Sequence, residues 1–284
     1  MQTRRLGNTD LHLTTIGLGT WAMGGHWAYG WGKQADRESI AARHRGIDLG
    51  INGIDTAAVY GYGRSAMVVG QSLAGRRDQV ILATKTQVRD AAGAREELET
   101  SLRLLRTDHI DVWQIHYLNT EAEREQALGP GGAMETAVKA REQGLVRFIG
   151  VTGHNWPEIA AAAATGLFDT VLCWYNCAMP EPNEALFPQA VAHNMGVVIM
   201  SATRTEKLLQ MENVPDGETV PPLEDFYRYV LSHPAVSLSI MGLRNVVSFE
   251  RVARALSERA TLEPEELEQM EAYGARLRAT GTLD

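Results

Sequence analysis

Residues 13–25 read Leu-Thr-Thr-Ile-Gly-Leu-Gly-Thr-Trp-Ala-Met-Gly-Gly, an apolar, β-branched run that ends in a glycine-rich turn. Such a run reads as a strand, Leu13–Trp21. Its closing segment, Gly19-Thr20-Trp21-Ala22-Met23-Gly24-Gly25, is not the G-x-G-x-x-G that opens the first helix of a doubly wound dinucleotide-binding sheet. Gly61-Tyr62-Gly63 fails that spacing as well. The fold therefore turns on how the pattern continues.

It continues with seven more short apolar runs: Ile51–Ala57, Val80–Thr86, His109–Tyr117, Arg147–Gly153, Thr170–Asn176, Gly196–Ala202 and Ser237–Leu243. Between them lie stretches of helical periodicity, Asp36–Leu49, Ala94–Leu105, Gly132–Gln143, Pro157–Ala164, Glu184–His193, Leu223–Leu231 and Val246–Glu258. Gly50, Gly144 and Gly166 stand just past three of these, where a left-handed residue relieves the last helical carbonyls. No linker rich in Pro, Gly or Ser divides the chain. The reading is a single (β/α)8 TIM barrel over residues 1–284, a size that such barrels reach as one domain. Thr3–Leu6 and Leu11–Leu13, turned by Gly7-Asn8-Thr9-Asp10, read as a β-hairpin capping the barrel bottom. Thr203–Pro222 has little apolar periodicity and is expected to form a top-face loop, a candidate lid.

Composition narrows the partners. A net charge of −8 without any Lys/Arg cluster argues against nucleic acid. No apolar run approaches a membrane span, and Met1–Asp10 lacks the apolar core of a signal peptide. The cytoplasm is the expected address. Two cysteines, Cys173 and Cys177, without neighbouring His ligands match no zinc pattern, so no metal is expected. The sequence sets no oligomeric state.

In (β/α)8 enzymes chemistry gathers where the strands end. The second strand ends in Gly53-Ile54-Asp55-Thr56-Ala57-Ala58-Val59-Tyr60-Gly61, the third in Leu82-Ala83-Thr84-Lys85 and the fourth in Trp113-Gln114-Ile115-His116-Tyr117. Asp55 and Lys85 alone read equally well as a buried structural ion pair. His116 on the next strand and Tyr60 just above Asp55 change the balance. A cation beside a tyrosine hydroxyl lowers its pKa, and Lys85 supplies one, with Asp55 holding Lys85 in place. His116, neutral in a dry site, is placed to hydrogen-bond a substrate oxygen. The set suits stabilisation of an alkoxide as hydride arrives.

The phrases GLGTW, IDTAAVYG, ILATK and WQIH, in this order on these strands, resemble the aldo-keto reductase superfamily, and the similarity runs through essentially the whole chain. The resemblance implies a catalytic tetrad of Asp55, Tyr60, Lys85 and His116, with Tyr60 as general acid and direct hydride transfer from NADP(H), NADH being possible, to a small-molecule carbonyl. It implies that Gly19, Thr20 and Trp21 line the cofactor and substrate pocket. It also places the 2′-phosphate of NADP at Gly242, Arg244 and Asn245, with Arg251 assisting. Backbone N–H groups and a guanidinium suit an anion there.

The chain departs from the family pattern in several places. The Ser-Asn pair that holds the nicotinamide carboxamide is here Thr152-Gly153, with His154 and Asn155 next in the chain. The carboxamide-binding Gln falls at Leu172, leaving Tyr175 and Asn176 as neighbours. The Tyr that stacks on the nicotinamide falls at Met200, with Ser201 after it, and Met covers a ring face less specifically. The adenine-binding Asn falls near Val252, and Gly63-Arg64-Ser65-Ala66 lacks the Glu often found after Ser. Residues 281–284 end soon after the last helix, which is expected to leave the pocket open and its walls to the first loop, where Trp21, Trp27, Tyr29 and Trp31 lie among glycines. An apolar or ring-bearing carbonyl substrate, met by Trp21, Trp27, Tyr60 and His116, is the expectation, self-packing of a long loop being the equal alternative for these aromatics.

Two other readings compete. The lost carboxamide contacts suit a cofactor-binding regulatory or sensor subunit with little turnover, which the intact tetrad opposes. A Schiff-base enzyme acting through Lys85 needs a lysine without a carboxylate partner, which Asp55 opposes.

Overall fold

The structure, a computed structural model, describes residues 1–25, 36–214, 219–242 and 246–281. The eight runs pair in parallel as β3 (Ile16–Gly19), β4 (Gly53–Asp55), β5 (Ile81–Thr86), β6 (Ile110–Ile115), β7 (Val146–Thr152), β8 (Thr170–Trp174), β9 (Gly196–Met200) and β10 (Val236–Gly242). They close in chain order, with β10 bonded back to β3. The expected (β/α)8 barrel is thus the fold. β7 and β10 start one residue before their apolar runs, and the other six strands are shorter than theirs, because residues such as Thr20, Ala57 and Asn176 are buried beyond the last ladder bond, in the turns that carry the chain over the rim.

The helices among the described residues are α1 (Asp36–Asp48), α2 (Arg64–Ser72), α3 (Ala91–Leu105), α4 (Glu121–Leu128), α5 (Ala133–Glu142), α6 (Trp156–Ala163), α7 (Pro182–Ala185), α8 (Phe187–Ala192), α9 (Leu223–Ser232), α10 (Val246–Glu258) and α11 (Pro264–Ala279). Gly50, Gly144 and Gly166 take φ of 86°, 74° and 69°, the left-handed stops that their positions require. The expected helix Glu184–His193 is broken in two. Pro188, at the second position of α8, has no N–H to continue α7, and Leu186 turns the chain between them. None of the described helices is long and apolar enough to cross a membrane.

The hairpin is β1 (Thr3–Arg5) and β2 (His12–Thr14), antiparallel, its turn closed by the Thr9 hydroxyl donating to the Leu6 carbonyl at 2.6 Å. Leu6, Leu11 and Leu13 plug the barrel bottom against Val112 and Leu238. Arg4 donates to the carbonyls of Leu231 and Val236, and Arg147 pairs with Asp10, so the plug is fastened at its edges. Above it a cavity of about 40 Å³ remains inside the barrel, lined mostly by apolar side chains, with Asp55, Gln114 and Thr170 among its walls.

The stretch expected as a lid is partly tied down. Leu208 is fully buried and its carbonyl accepts from the Tyr273 hydroxyl of α11 at 3.0 Å, while Asn213 donates to the Lys207 carbonyl. Two anchors invisible to a periodicity count, one apolar and one polar, hold that half of the loop, the first of them against the C-terminal helix.

Candidate active site

Asp55 is the last residue of β4, Lys85 the penultimate residue of β5, and His116 comes directly after β6. Tyr60 stands five residues beyond Asp55, where the chain turns into α2 with the Ser65 N–H donating to the Tyr60 carbonyl at 3.2 Å. Strand twist and register therefore bring together four side chains that are far apart in sequence.

Lys85 Nζ donates to Asp55 Oδ1 at 2.5 Å, to the Thr56 carbonyl at 2.7 Å and to the Tyr60 hydroxyl at 3.4 Å. These three acceptors use all of an ammonium's donors, so the lysine has one position. The ring centroids of Tyr60 and His116 are 6.1 Å apart, edge to face.

The electrostatics differ in one respect from the sequence expectation. Burial raises Tyr60 above its ordinary value, and although the Lys85 charge pulls it down, burial together with the Asp55 charge prevails. The phenol is held protonated, as a proton donor must be. For Lys85 burial acts downward, but the Asp55 charge and the bonds to Asp55 and Tyr60 outweigh it and the ammonium is favoured. His116 lies well below the usual histidine value through burial, with the Lys85, His154 and Arg89 charges acting the same way. It is neutral, and its Nδ1 is enclosed without a hydrogen-bond partner among the described residues.

Three residues outside the sequence expectation support the tetrad. Gln114 Nε2 donates to Asp55 Oδ2 at 3.0 Å. Arg89 donates to the carbonyls of His116 and Tyr117 at 2.8 and 2.9 Å, strapping a turn in which Tyr117 has φ of 64°. Asn119 accepts the His154 and Asn155 N–H groups through its side chain. Gln114 stands in the phrase WQIH as a polar residue inside an apolar strand, which is a legible signal. Arg89 and Asn119 lie in loops and give none.

The remaining expected residues form a rim. Gly19 and Gly242 face each other in register across the β3–β10 seam. Thr20 is fully buried; its hydroxyl donates to the Asp55 carbonyl and accepts from Ser65. Trp21 begins the short helical turn after β3, and Thr152, Met200 and Ser201 mark the ends of β7 and β9. Asn176 is buried and its amide serves the chain itself, donating to the Ser201 carbonyl and accepting from the Ala178 N–H. Arg251 is exposed and paired with Glu224 of α9 at 3.3 Å. Trp27, Arg244 and Asn245 lie outside the described residues.

Further round the rim the rings of Tyr117, His154 and Trp174 stand in succession, with centroids 4.8 and 4.3 Å apart. This aromatic wall, built from the turns after β6 and β7 and the last residue of β8, adjoins His116. It adds a ring-bearing surface to the aromatics expected on the first loop.

The Aldo/keto reductase family profile matches residues 15–222. The chain is 35% identical over 202 residues to the aldo-keto reductase YhdN of Bacillus subtilis, a match covering 67% of this chain and 58% of that one, so it spans little more than half of that relative. An aldo-keto reductase from Klebsiella pneumoniae, solved in complex with NADPH, superposes with a TM-score of 0.76 at 27% identity, covering 96% of this chain and 95% of that one. The holo form of the aldo-keto reductase AKR11C1 from Bacillus halodurans superposes with a TM-score of 0.80 over 96% of each chain, a likeness of fold at 23% identity.

Proposed function

The chain belongs to the aldo/keto reductase family, and from that premise we propose that it is an NADP(H)-dependent oxidoreductase that reduces the carbonyl of a small aldehyde or ketone, with Tyr60 as general acid. The observation that carries this is the Lys85 ammonium, fixed by Asp55 and the Thr56 carbonyl and left with its third donor on the Tyr60 hydroxyl. The hydride comes from NADPH when that cofactor is bound.

The side-chain-free Gly19–Gly242 seam suits close approach of a nucleotide to the backbone. Gly19, Thr20, Trp21, Thr152, Met200, Ser201 and Gly242 are the described residues that would hold it, with Asn176 fastening the Ser201 turn.

As the carbonyl carbon gains hydride, its oxygen becomes an alkoxide and takes the proton from Tyr60. The phenolate left behind sits beside Lys85, a charge already in place that needs no reorganisation. A buried N–H without an acceptor is costlier than an unfilled lone pair, so the enclosed Nδ1 of His116 carries the lone pair and Nε2 carries the proton. That Nε2–H donates to the substrate oxygen and orients it toward Tyr60. The aromatic wall of Tyr117, His154 and Trp174 favours a flat, ring-bearing substrate.

The test is consumption of NADPH, and of NADH in parallel, with a reactive aromatic aldehyde by the native chain and by Tyr60→Phe. Turnover with NADPH that collapses in Tyr60→Phe is expected. Tight NADPH binding without turnover would favour the sensor reading, which draws on the buried apolar Leu172 and the bare Gly153 at the carboxamide positions.

A further inference from the structure

We propose that Gln114 is a positioning residue of the tetrad, setting Lys85 through Asp55; the proposal rests on the reading of Tyr60 as proton donor. The Asp55 carboxylate has two oxygens with different duties. Oδ1 accepts from Lys85 at 2.5 Å and Oδ2 accepts from Gln114 Nε2 at 3.0 Å. A carboxylate only accepts, so the amide end facing it is the NH2 group. Gln114 is buried and lies opposite Lys85 in the β5–β6 register, so both side chains rise from one level of the barrel toward Asp55.

The barrel makes room for this side chain at one place. Gly150 is the partner of Gln114 on β7, and a Cβ there would stand 2.8 Å from Gln114 Cγ and 2.5 Å from Thr170 Oγ1. Beneath the pair lies the largely apolar interior cavity, walled in part by Asp55 and Gln114. Without the Gln114 N–H, Asp55 Oδ2 would lose its donor beside apolar space, and the carboxylate would be free to turn away from Lys85.

Charge explains the choice of an amide. A glutamate would add a second anion against Asp55, and an arginine would compete with Lys85 for it. A leucine would leave the oxygen bare. A neutral donor alone fixes the carboxylate plane while leaving its full charge to hold the ammonium that stabilises the Tyr60 phenolate.

The test uses Gln114→Met, similar in size and without a donor, and Gln114→Glu, each checked for native melting. In Gln114→Met, kcat is expected to fall about tenfold or more while KM for the aldehyde moves less than about twofold, because the loss acts on the reacting state and not on binding. The alkaline fall of kcat moves to lower pH, since a loosened Asp55 holds the Lys85 proton less firmly. In Gln114→Glu the protonated carboxyl still donates, so activity survives on the acid side and is lost as the new group ionises, a limb the native enzyme lacks.

A readout independent of turnover is the Lys85 side chain in protein labelled with 13C-lysine. Lys85 is one of four lysines, so its signal is assignable with Lys85→Met. It is expected to shift and to titrate at lower pH in Gln114→Met. An unmoved Lys85 resonance in Gln114→Met overturns the proposal, as does a Gln114→Glu pH profile superposing on the native one. If native protein shows no carbonyl reduction, the proposed function fails while the Lys85 resonance still decides the role of Gln114. If Gln114→Met does not fold, the Gln114→Glu profile decides it.

Discussion

A Cβ on Gly153 would stand 2.5 Å from the carbonyl oxygen of Leu118. The Asn119 side-chain oxygen is also near, at 3.1 Å, and is held there by the His154 and Asn155 N–H groups. The loop after β6 therefore occupies the space into which an amide side chain at position 153 would grow. Family resemblance suggests that Gly153→Asn would restore a carboxamide contact; the packing says otherwise. The substitution is expected to destabilise the protein by ~1–3 kcal/mol and to weaken NADPH binding, because backbone cannot yield as a flexible side chain does. Thermal melting and a fluorescence titration with NADPH check this. Unchanged melting with tighter binding would show that the loop moves aside freely.

The pH dependence of kcat is set by the directions of three groups. Tyr60 must carry its proton to act as acid, and burial raises it above the ordinary tyrosine value of 10.0. Lys85 must be charged and is raised as well. His116 must be neutral and is pushed well below 6.5 by burial and the neighbouring charges. All three are in the working form through the neutral range, so kcat is expected to stay flat there and to fall only in strong alkali, as Tyr60 and Lys85 lose their protons. A pH profile of kcat with saturating aldehyde tests it. An inflection near pH 6.5 would mean that His116 titrates as an exposed histidine does.

The sequence exposes the parts of this molecule that obey a period or break one. Strand runs alternating with helical stretches lead to the barrel, and Asp55, Lys85 and His116 attract attention because ionisable groups seldom end apolar strands. Contacts made by loops are illegible. Nothing in Arg89 or Asn119 as residues tells which carbonyl or N–H they will meet, since that depends on where two separate turns cross the rim. The direction of the Tyr60 shift is also opposite to the sequence expectation. A sequence shows the neighbouring cation but not the depth of burial, and burial is the larger influence. The fold also gives the Asn176 amide a local duty that the sequence does not show, one N–H going to the Ser201 carbonyl and one lone pair to the Ala178 N–H.

Arg89 acts on the site without touching the side chains of Asp55, Tyr60 or Lys85. It grips the carbonyls of His116 and Tyr117, and Tyr117 sits in the left-handed region that costs a non-glycine residue of its type about 1–2 kcal/mol. Arg89→Ala releases that turn and the aim of the His116 ring with it. We expect kcat/KM to drop about tenfold with a smaller loss of stability, since misaimed groups cost rate steeply. Steady-state kinetics beside thermal melting separates the two effects, and native kcat/KM in a folded Arg89→Ala protein would show that the turn holds without the strap.

His154 makes the protein sensitive to acid. Burial lowers it to about 4, its ring lying against Trp174 with centroids 4.3 Å apart. In the unfolded chain it titrates near 6.5, so between about pH 6.5 and 4 the unfolded state binds more protons than the folded one. Stability therefore rises with pH through that window, and the contribution of His154 is present above it and lost as the pH falls toward 4. The contribution is up to ~3 kcal/mol, by the usual conversion of a shift into free energy. His154→Phe keeps a ring against Trp174 and Tyr117 and removes the titration. Melting temperatures of the two proteins are expected to diverge as pH is lowered from about 7 to about 4.5, the variant losing less. Parallel declines would place the acid sensitivity in other groups, His116 first among them.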